Sequence, residues 1–272
     1  MTSEEKILEF IKPIMNKVHK DDLIYRAIID SALDNITSGK VKVIGVSGKK
    51  AAGKDTFYDE YVAEIDSTAV KTPTSAAIRE EATLIIRYLY EALTTEPAED
   101  PDNYWSVVNE GYEKQFGIDK KHAEPITELL LKVLRNRKEV TGFDRDNEIT
   151  TVLQILGNDA HSEQDELYWA RKMALTALTN AALGKTSIVP DVRFERDADA
   201  VRLIHGMLIR LEISPEVQRE RLMGRDGLVV PEKTLRHISE IALDNYQKFD
   251  IIIDSNNMSP KEVIHVVKAS WL

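Results

Sequence analysis

The run Gly48, Lys49, Lys50, Ala51, Ala52, Gly53, Lys54, Asp55, Thr56 has the composition and spacing of a phosphate-binding loop. Successive backbone N–H groups of such a loop can wrap a β-phosphate, and the helix that opens after Gly53 adds a favourable dipole. Lys54 stands where an ammonium group bridges β- and γ-phosphates. The position after that lysine usually carries Ser or Thr, whose hydroxyl ligates Mg²⁺; here it is Asp55, followed by Thr56. Either side chain could hold the metal, directly or through water. Lys49 and Lys50 add positive charge suited to a polyphosphate.

A phosphate loop implies a nucleotide and leaves its use open. Phosphoryl transfer asks little covalent chemistry of a protein; it asks for alignment and positive charge around the transferring group. Candidate clamps are therefore arginines near the carboxyl ends of strands, where open α/β sheets place their ligands. Val189-Pro-Asp191-Val-Arg193 offers Asp191 to support Mg²⁺ and Arg193 to bind an acceptor phosphate. Arg219, Arg221 and Arg225 lie in a basic segment with Gly224 and Gly227 as hinges, which suits a lid at about 215–230. Arg79 opens a long helical stretch on the same side of such an architecture. A turn acid, surface arginines and a solvated helix face are the plainer alternatives. His122, His161, His205 and His265 are isolated, and no Ser/His/Asp order or metal-ligand histidine spacing is present.

The elements that must position these residues read as strand and helix in alternation. Residues 41–47 are a β-branched strand ahead of the loop, and 53–64 a helix behind it. Further strands are expected at 69–71, from 186, at 207–213 and at 249–253. Helices are expected at 149–160, 165–182, 195–205, after the cap Ser214 with Pro215 in the first turn, and at 260–268. This alternation predicts a parallel sheet with helices on both faces. Residues 74–147 are mostly helical, too long for a connection, and are expected to form a lobe of their own. Residues 1–40 read as an accessory helical extension, with Ile7, Leu8, Ile11, Ile14, Met15 and Val18 at helical spacing and a second stripe from Leu23 to Leu33.

Composition bounds the function. The 272 residues suffice for one large domain with an appendage at roughly 150 residues per domain. A net charge of −10 disfavours nucleic acid and anionic membrane as partners, so an anionic substrate needs a local cluster of cations. With no cysteine there is no disulfide, thiolate zinc site or cysteine nucleophile. No apolar run reaches the roughly 20 residues needed to span a bilayer, and the first 30 residues do not read as a signal peptide. A cytoplasmic protein is the expectation.

Four blocks in this order resemble the bacteriophage-type deoxynucleoside monophosphate kinases, relatives of the adenylate kinase-like P-loop kinases. They are Gly48 to Thr56 with its Gly-Lys-Asp-Thr ending; Leu153-Gln154-Ile-Leu-Gly157 with Tyr168-Trp169; Val189-Pro-Asp191-Val-Arg193; and His237-Ile-Ser239-Glu240 with Asp250-Ile-Ile-Ile-Asp254. The resemblance spans about 41–270. It implies a P-loop kinase domain over 41–272, an acceptor-binding insertion at about 74–147, and Mg²⁺ with ATP as phosphoryl donor. By the same likeness Gln154 and Trp169 line or support the acceptor pocket, Arg193 holds its phosphate or base, and Arg219 to Arg225 form the lid. The chain departs from the family pattern at Thr150 and Thr151, where an arginine is usual and Arg145 is the nearest substitute. It also has Arg79 in place of a lysine, and Glu212-Ile-Ser214 in place of a strand-end arginine.

The expected function is transfer of the γ-phosphoryl group of ATP to a (deoxy)nucleoside monophosphate, in the cytoplasm of the host if the chain is viral. A homodimer is left open. Two alternatives stand beside it: a kinase of another small phosphorylated metabolite such as phosphomevalonate, and an ATP-binding switch or assembly protein without phosphoryl transfer.

Overall fold

A computed structural model describes residues 1–15, 22–95, 101–136, 147–226, 231 and 235–270. They divide into two compact units, Met1–Thr74 with Ala170–Leu272, and Ser75–Trp169.

The first unit is built on five parallel strands: β1 (Val43–Gly48), β2 (Val70–Lys71), β3 (Ser187–Val189), β4 (Met207–Glu212) and β5 (Ile251–Asp254), in the order β2-β3-β1-β4-β5. Val43 pairs with Ser187 on one side, and Gly48 pairs with Leu211 on the other. Alternation along β1 sends Val43 to one face and Ile44 and Val46 to the other. Both faces are covered, which is why the strand reads as a nearly continuous apolar run.

On the first face lie α1 (Ser3–Ile11), α2 (Asp22–Thr37), α8 (Tyr168–Ala182, within this unit from Ala170) and α9 (Glu195–Leu203). The amino-terminal helices are part of this core: Ile7, Leu8, Ile11, Ile29 and Ala32 are buried with Met173, Ala177 and Val201. Ile14 and Met15 pack partly buried against it, and Val18 lies outside the described residues. On the other face Phe57 and Tyr61 of α3 (Lys54–Glu64) pack with Val263, Ile264 and Val267 of the closing helix Pro260–Ala269. The two helices that follow the adjacent strands β1 and β3 thus cover opposite faces. In open α/β sheets ligands bind outside the carboxyl ends of two neighbouring strands whose helices part in this way.

The second unit is helical: α4 (Thr74–Thr95, from Ser75), α5 (Pro101–Phe116), α6 (Lys120–Asn136), α7 (Asn147–Gln154) and a π-helical turn, Ile155–Ala160. It takes in the helical stretch read from the sequence and continues to Trp169, because Ile149, Val152, Leu156, Ala160 and Trp169 share one core with Ile85, Leu89 and Ile126. The expected helix over 149–160 changes pitch after Gln154. In that turn the Leu156 carbonyl accepts the Trp169 indole N–H at 3.1 Å and the Gly157 carbonyl accepts the Ser162 hydroxyl at 3.1 Å. Beside it, buried Glu81 binds His161 Nε2 and the Tyr168 hydroxyl. No helix among the described residues is long and apolar enough to cross a membrane.

Candidate functional site

The loop leaves the carboxyl end of β1 at Gly48, whose φ of 152° favours glycine. A Cβ there would stand 2.6 Å from the Leu211 carbonyl oxygen. Gly53, at φ 99°, turns the chain into α3, and Ala51 is also left-handed at 66°. Alternating hands of this kind gather N–H groups on one side of a loop.

The carbonyls account for the other side, and every one from Gly48 to Gly53 has a donor. Lys54 Nζ donates to Gly48 O at 2.5 Å and Lys49 O at 2.8 Å. Gln218 Nε2 donates to Lys50 O at 3.0 Å, Arg221 Nη1 to Ala51 O at 3.3 Å, and the Ser255 hydroxyl to Ala52 O at 3.3 Å. The Phe57 amide takes Gly53 O at 2.8 Å in the first turn of α3. Six consecutive carbonyls are held by these donors, so the loop's free amides and the α3 terminus are left to face a ligand. Burial pulls the Lys54 ammonium down to about 8, and the nearby Arg193 charge pulls the same way; Glu240 and Asp55 oppose both. A desolvated cation among fixed dipoles binds an anion more strongly than one in water.

At the end of β3, Asp191 Oδ1 accepts the Thr74 amide at 2.8 Å. The Thr74 hydroxyl is buried beside that contact with no hydrogen-bond partner, the one such side-chain atom among the described residues. Asp197, in the first turn of α9, accepts the Arg193 and Phe194 amides at 3.3 and 3.1 Å and so fixes the turn that presents Arg193. The Arg193 guanidinium donates to Glu240 Oε1 at 2.8 Å, and the other oxygen of Glu240 accepts the Lys50 amide of the loop at 2.6 Å. Behind the loop, buried Arg210 holds Ser47 Oγ at 3.0 Å and Asp244 at 2.7 Å, and Lys49 pairs with Asp244 at 3.3 Å.

Two cavities flank the loop. One of about 310 Å³ is lined by Gly53, Thr56, Arg221, Ser255, Met258 and Pro260. The other, of about 410 Å³, lies over the ends of β4 and β5 and includes Lys49, Arg210, Asp244 and Asn256.

Asp55, Thr56 and Asp191 are hard oxygen donors, the chemistry Mg²⁺ requires, and the ion needs only one or two of them beside a nucleotide's own phosphates. Thr56 lines the smaller cavity with the loop. Asp55 is on the surface in an ion pair with Lys71 at 2.7 Å, so it reaches a metal only by leaving that partner.

The structure therefore brings together the loop, Lys54, Thr56, Asp191 and Arg193. Of the basic segment, now α10 (Pro215–Asp226), it is Arg221 that reaches the loop, with further bonds to Ser255 O at 2.6 Å and Asn256 O at 3.2 Å. Arg219 is on the exposed side. Arg225 lies in the helix with its side chain outside the described residues, and the lid residues 227–230 and Arg145 lie outside them altogether. Gly224 is within α10, where an added Cβ meets nothing within 4 Å.

In the second unit Arg79 and Gln154 are exposed, whereas Trp169 is 4% exposed and spends its indole N–H on Leu156. Its ring supports the core and does not line a surface. Sequence reasoning missed Gln218, Glu240, Ser255 and Thr74. The available signal was the buried face of α10, marked by Leu222, which puts Gln218 and Arg221 on the same side at helical spacing.

Comparison with known protein families and with curated proteins finds no match to this chain.

Proposed function

We propose that the chain is an ATP-dependent (deoxy)nucleoside monophosphate kinase of P-loop type. The observation that carries this reading is the hydrogen-bond accounting of the loop, in which six successive carbonyls from Gly48 to Gly53 are held by donors. A loop so fixed presents the amides not taken by Glu240 and the Lys49 carbonyl to an anion without reorganisation, which is the condition for electrostatic stabilisation of a transferring phosphoryl group. The all-parallel sheet, with the loop at the carboxyl end of its central strand, agrees with it.

In this reading the donor's β- and γ-phosphates lie on the loop and Lys54, and the cavity beside Arg221 and Pro260 takes its base. Thr56 and Asp191, with Asp55 once it releases Lys71, would hold Mg²⁺, which would supply positive charge to the phosphates. The acceptor's phosphate meets Arg193 and the buried Thr74 hydroxyl at the end of β3. Its oxygen attacks the γ-phosphorus as the bond to the β,γ-bridging oxygen breaks, giving ADP and the nucleoside diphosphate. Arg193, Arg219 and Arg225 carry the developing charge, and the 215–230 segment, docked on the loop through Gln218 and Arg221, excludes the water that would otherwise accept the phosphoryl group. The protein works in the cytoplasm, with a nucleotide pair as its partners.

The burial of Trp169 favours a second reading of the acceptor. With that ring unavailable for stacking, a small phosphorylated metabolite such as phosphomevalonate suits the same phosphate contacts. ADP release from ATP·Mg²⁺ across all common nucleoside and deoxynucleoside monophosphates, with phosphomevalonate alongside, decides between them. Stimulation by deoxynucleotides supports the proposal; stimulation by phosphomevalonate alone replaces the substrate. ATP binding with no stimulated release by any acceptor overturns the kinase reading in favour of a switch.

A further inference from the structure

We propose that Glu240 is a positioning residue that ties Arg193 to the phosphate loop, so that the guanidinium and the loop are set as one rigid unit for phosphoryl transfer. The inference rests on the phosphoryl-transfer reading above and adds to it a residue with no place among the clamps.

Glu240 is 8% exposed, in the short helical turn Ile238–Ile241. A carboxylate so buried is stable only where its charge and lone pairs are met. Both oxygens are met by groups of the site: Oε2 by the Lys50 amide at 2.6 Å and Oε1 by Arg193 Nη1 at 2.8 Å. The turn itself is fixed, since the His237 ring accepts the Ser239 amide at 3.4 Å and the Glu240 amide donates to His237 O at 2.8 Å. Arg193 is anchored by this one nitrogen, with Ser239 Oγ at 3.5 Å as a weaker second contact, and its side chain is 41% exposed. A guanidinium carries five N–H donors, so the anchored group keeps donors for a phosphate. From the other direction, Asp197 fixes the Arg193 backbone through its amide. The arginine is thus held at its main chain by α9 and at its tip by Glu240, while Glu240 is held by the loop.

Such a clamp acts on the transition state more than on donor binding. A misplacement of about 1 Å in a positioned group costs up to roughly 100-fold in rate. Loss of a negative charge beside Lys54 and Arg193 does not weaken binding of an anion. For Glu240→Gln the expected result is a fall in kcat of about 10- to 100-fold with KM for ATP unchanged or lower. Glu240→Asp, which keeps the charge, recovers part of the loss, and in an Arg193→Ala background Glu240→Gln costs nothing further. A rise in KM with kcat unaltered, or full additivity of the two substitutions, overturns the proposal. Its failure is separable from failure of the kinase reading by NMR relaxation of the Arg193 Nε–H group, which needs no turnover. The group is expected to be ordered in the parent chain and mobile in Glu240→Gln; equal order in both overturns the clamp whether or not the chain transfers phosphate.

Discussion

Lys54 combines a structural and a chemical task, and the two separate on substitution. Its ammonium binds the Gly48 and Lys49 carbonyls; Lys49 O also accepts the Ala52 amide at 3.1 Å, so Lys54→Met takes the side-chain donor from Gly48 O and costs on the order of 1–3 kcal/mol in stability. The same change removes the cation proposed to meet the phosphates, and turnover is expected to fall by about 100-fold or more with the far-ultraviolet circular dichroism retained. Near-parental turnover in Lys54→Met contradicts its role. Asp197 gives a second prediction. Burial raises its carboxyl from 3.8 to about 6, although the Phe194 and Arg193 amides pull it down. Between those pH values the folded chain keeps a proton that the unfolded chain releases. The stability due to this residue is therefore full below about pH 4, is lost as pH rises to about 6, and is flat above. Asp197→Asn removes that dependence, so urea melts of variant and parent should shift in the variant's favour by up to about 3 kcal/mol across the window. A difference that does not change with pH contradicts the assignment.

At the scale of elements, the strand, loop and helix at 43–64 were legible because their signals are local: a β-branched run, then glycines, then a helical pattern. The basic segment shows where local signals stop. Arg219, Arg221 and Arg225 are equivalent as residue types, and only the burial of Gln218 and Leu222 against the first unit turns Arg221 toward the loop. Glu240 was quoted only as part of a motif; its bond to Lys50 joins positions 190 residues apart, which no spacing rule reaches. The glycines divide in the same manner. Gly48→Ala would force a Cβ to within 2.6 Å of the Leu211 carbonyl at a left-handed φ, and is expected to lower the melting temperature and abolish ATP binding. Gly224→Ala meets open space in an exposed helix interior and is expected to stabilise by up to about 1 kcal/mol. Thermal melts of the two variants check both, and a destabilised Gly224→Ala would show that α10 bends at that point.

Across the whole molecule, alternation of strands and helices was enough to expect a parallel sheet, because parallel strands need crossovers. The order β2-β3-β1-β4-β5 was not legible, since β3 reaches β2 across a stretch of chain that contains the entire second unit. The amino-terminal stripe was legible as a helix, but its partner was not: Ile7 and Ile11 are completed by α8 and α9, more than 150 residues away. Charge shows the same contrast between local and global. The net charge is −10, yet Lys49, Lys50, Lys54, Arg193, Arg210 and Arg221 gather around one loop at the carboxyl end of the sheet. Such a concentration of cations and amides suits an anionic ligand, here proposed to be a nucleotide polyphosphate. The central claim is that the loop delivers the γ-phosphoryl group to a nucleoside monophosphate. Its most direct test is to follow the label from γ-³²P-ATP with Mg²⁺ and each monophosphate acceptor through chromatographic separation of the products. Label is expected in a nucleoside diphosphate; label only in inorganic phosphate, or retained in ATP with every acceptor, would rule out transfer to a monophosphate.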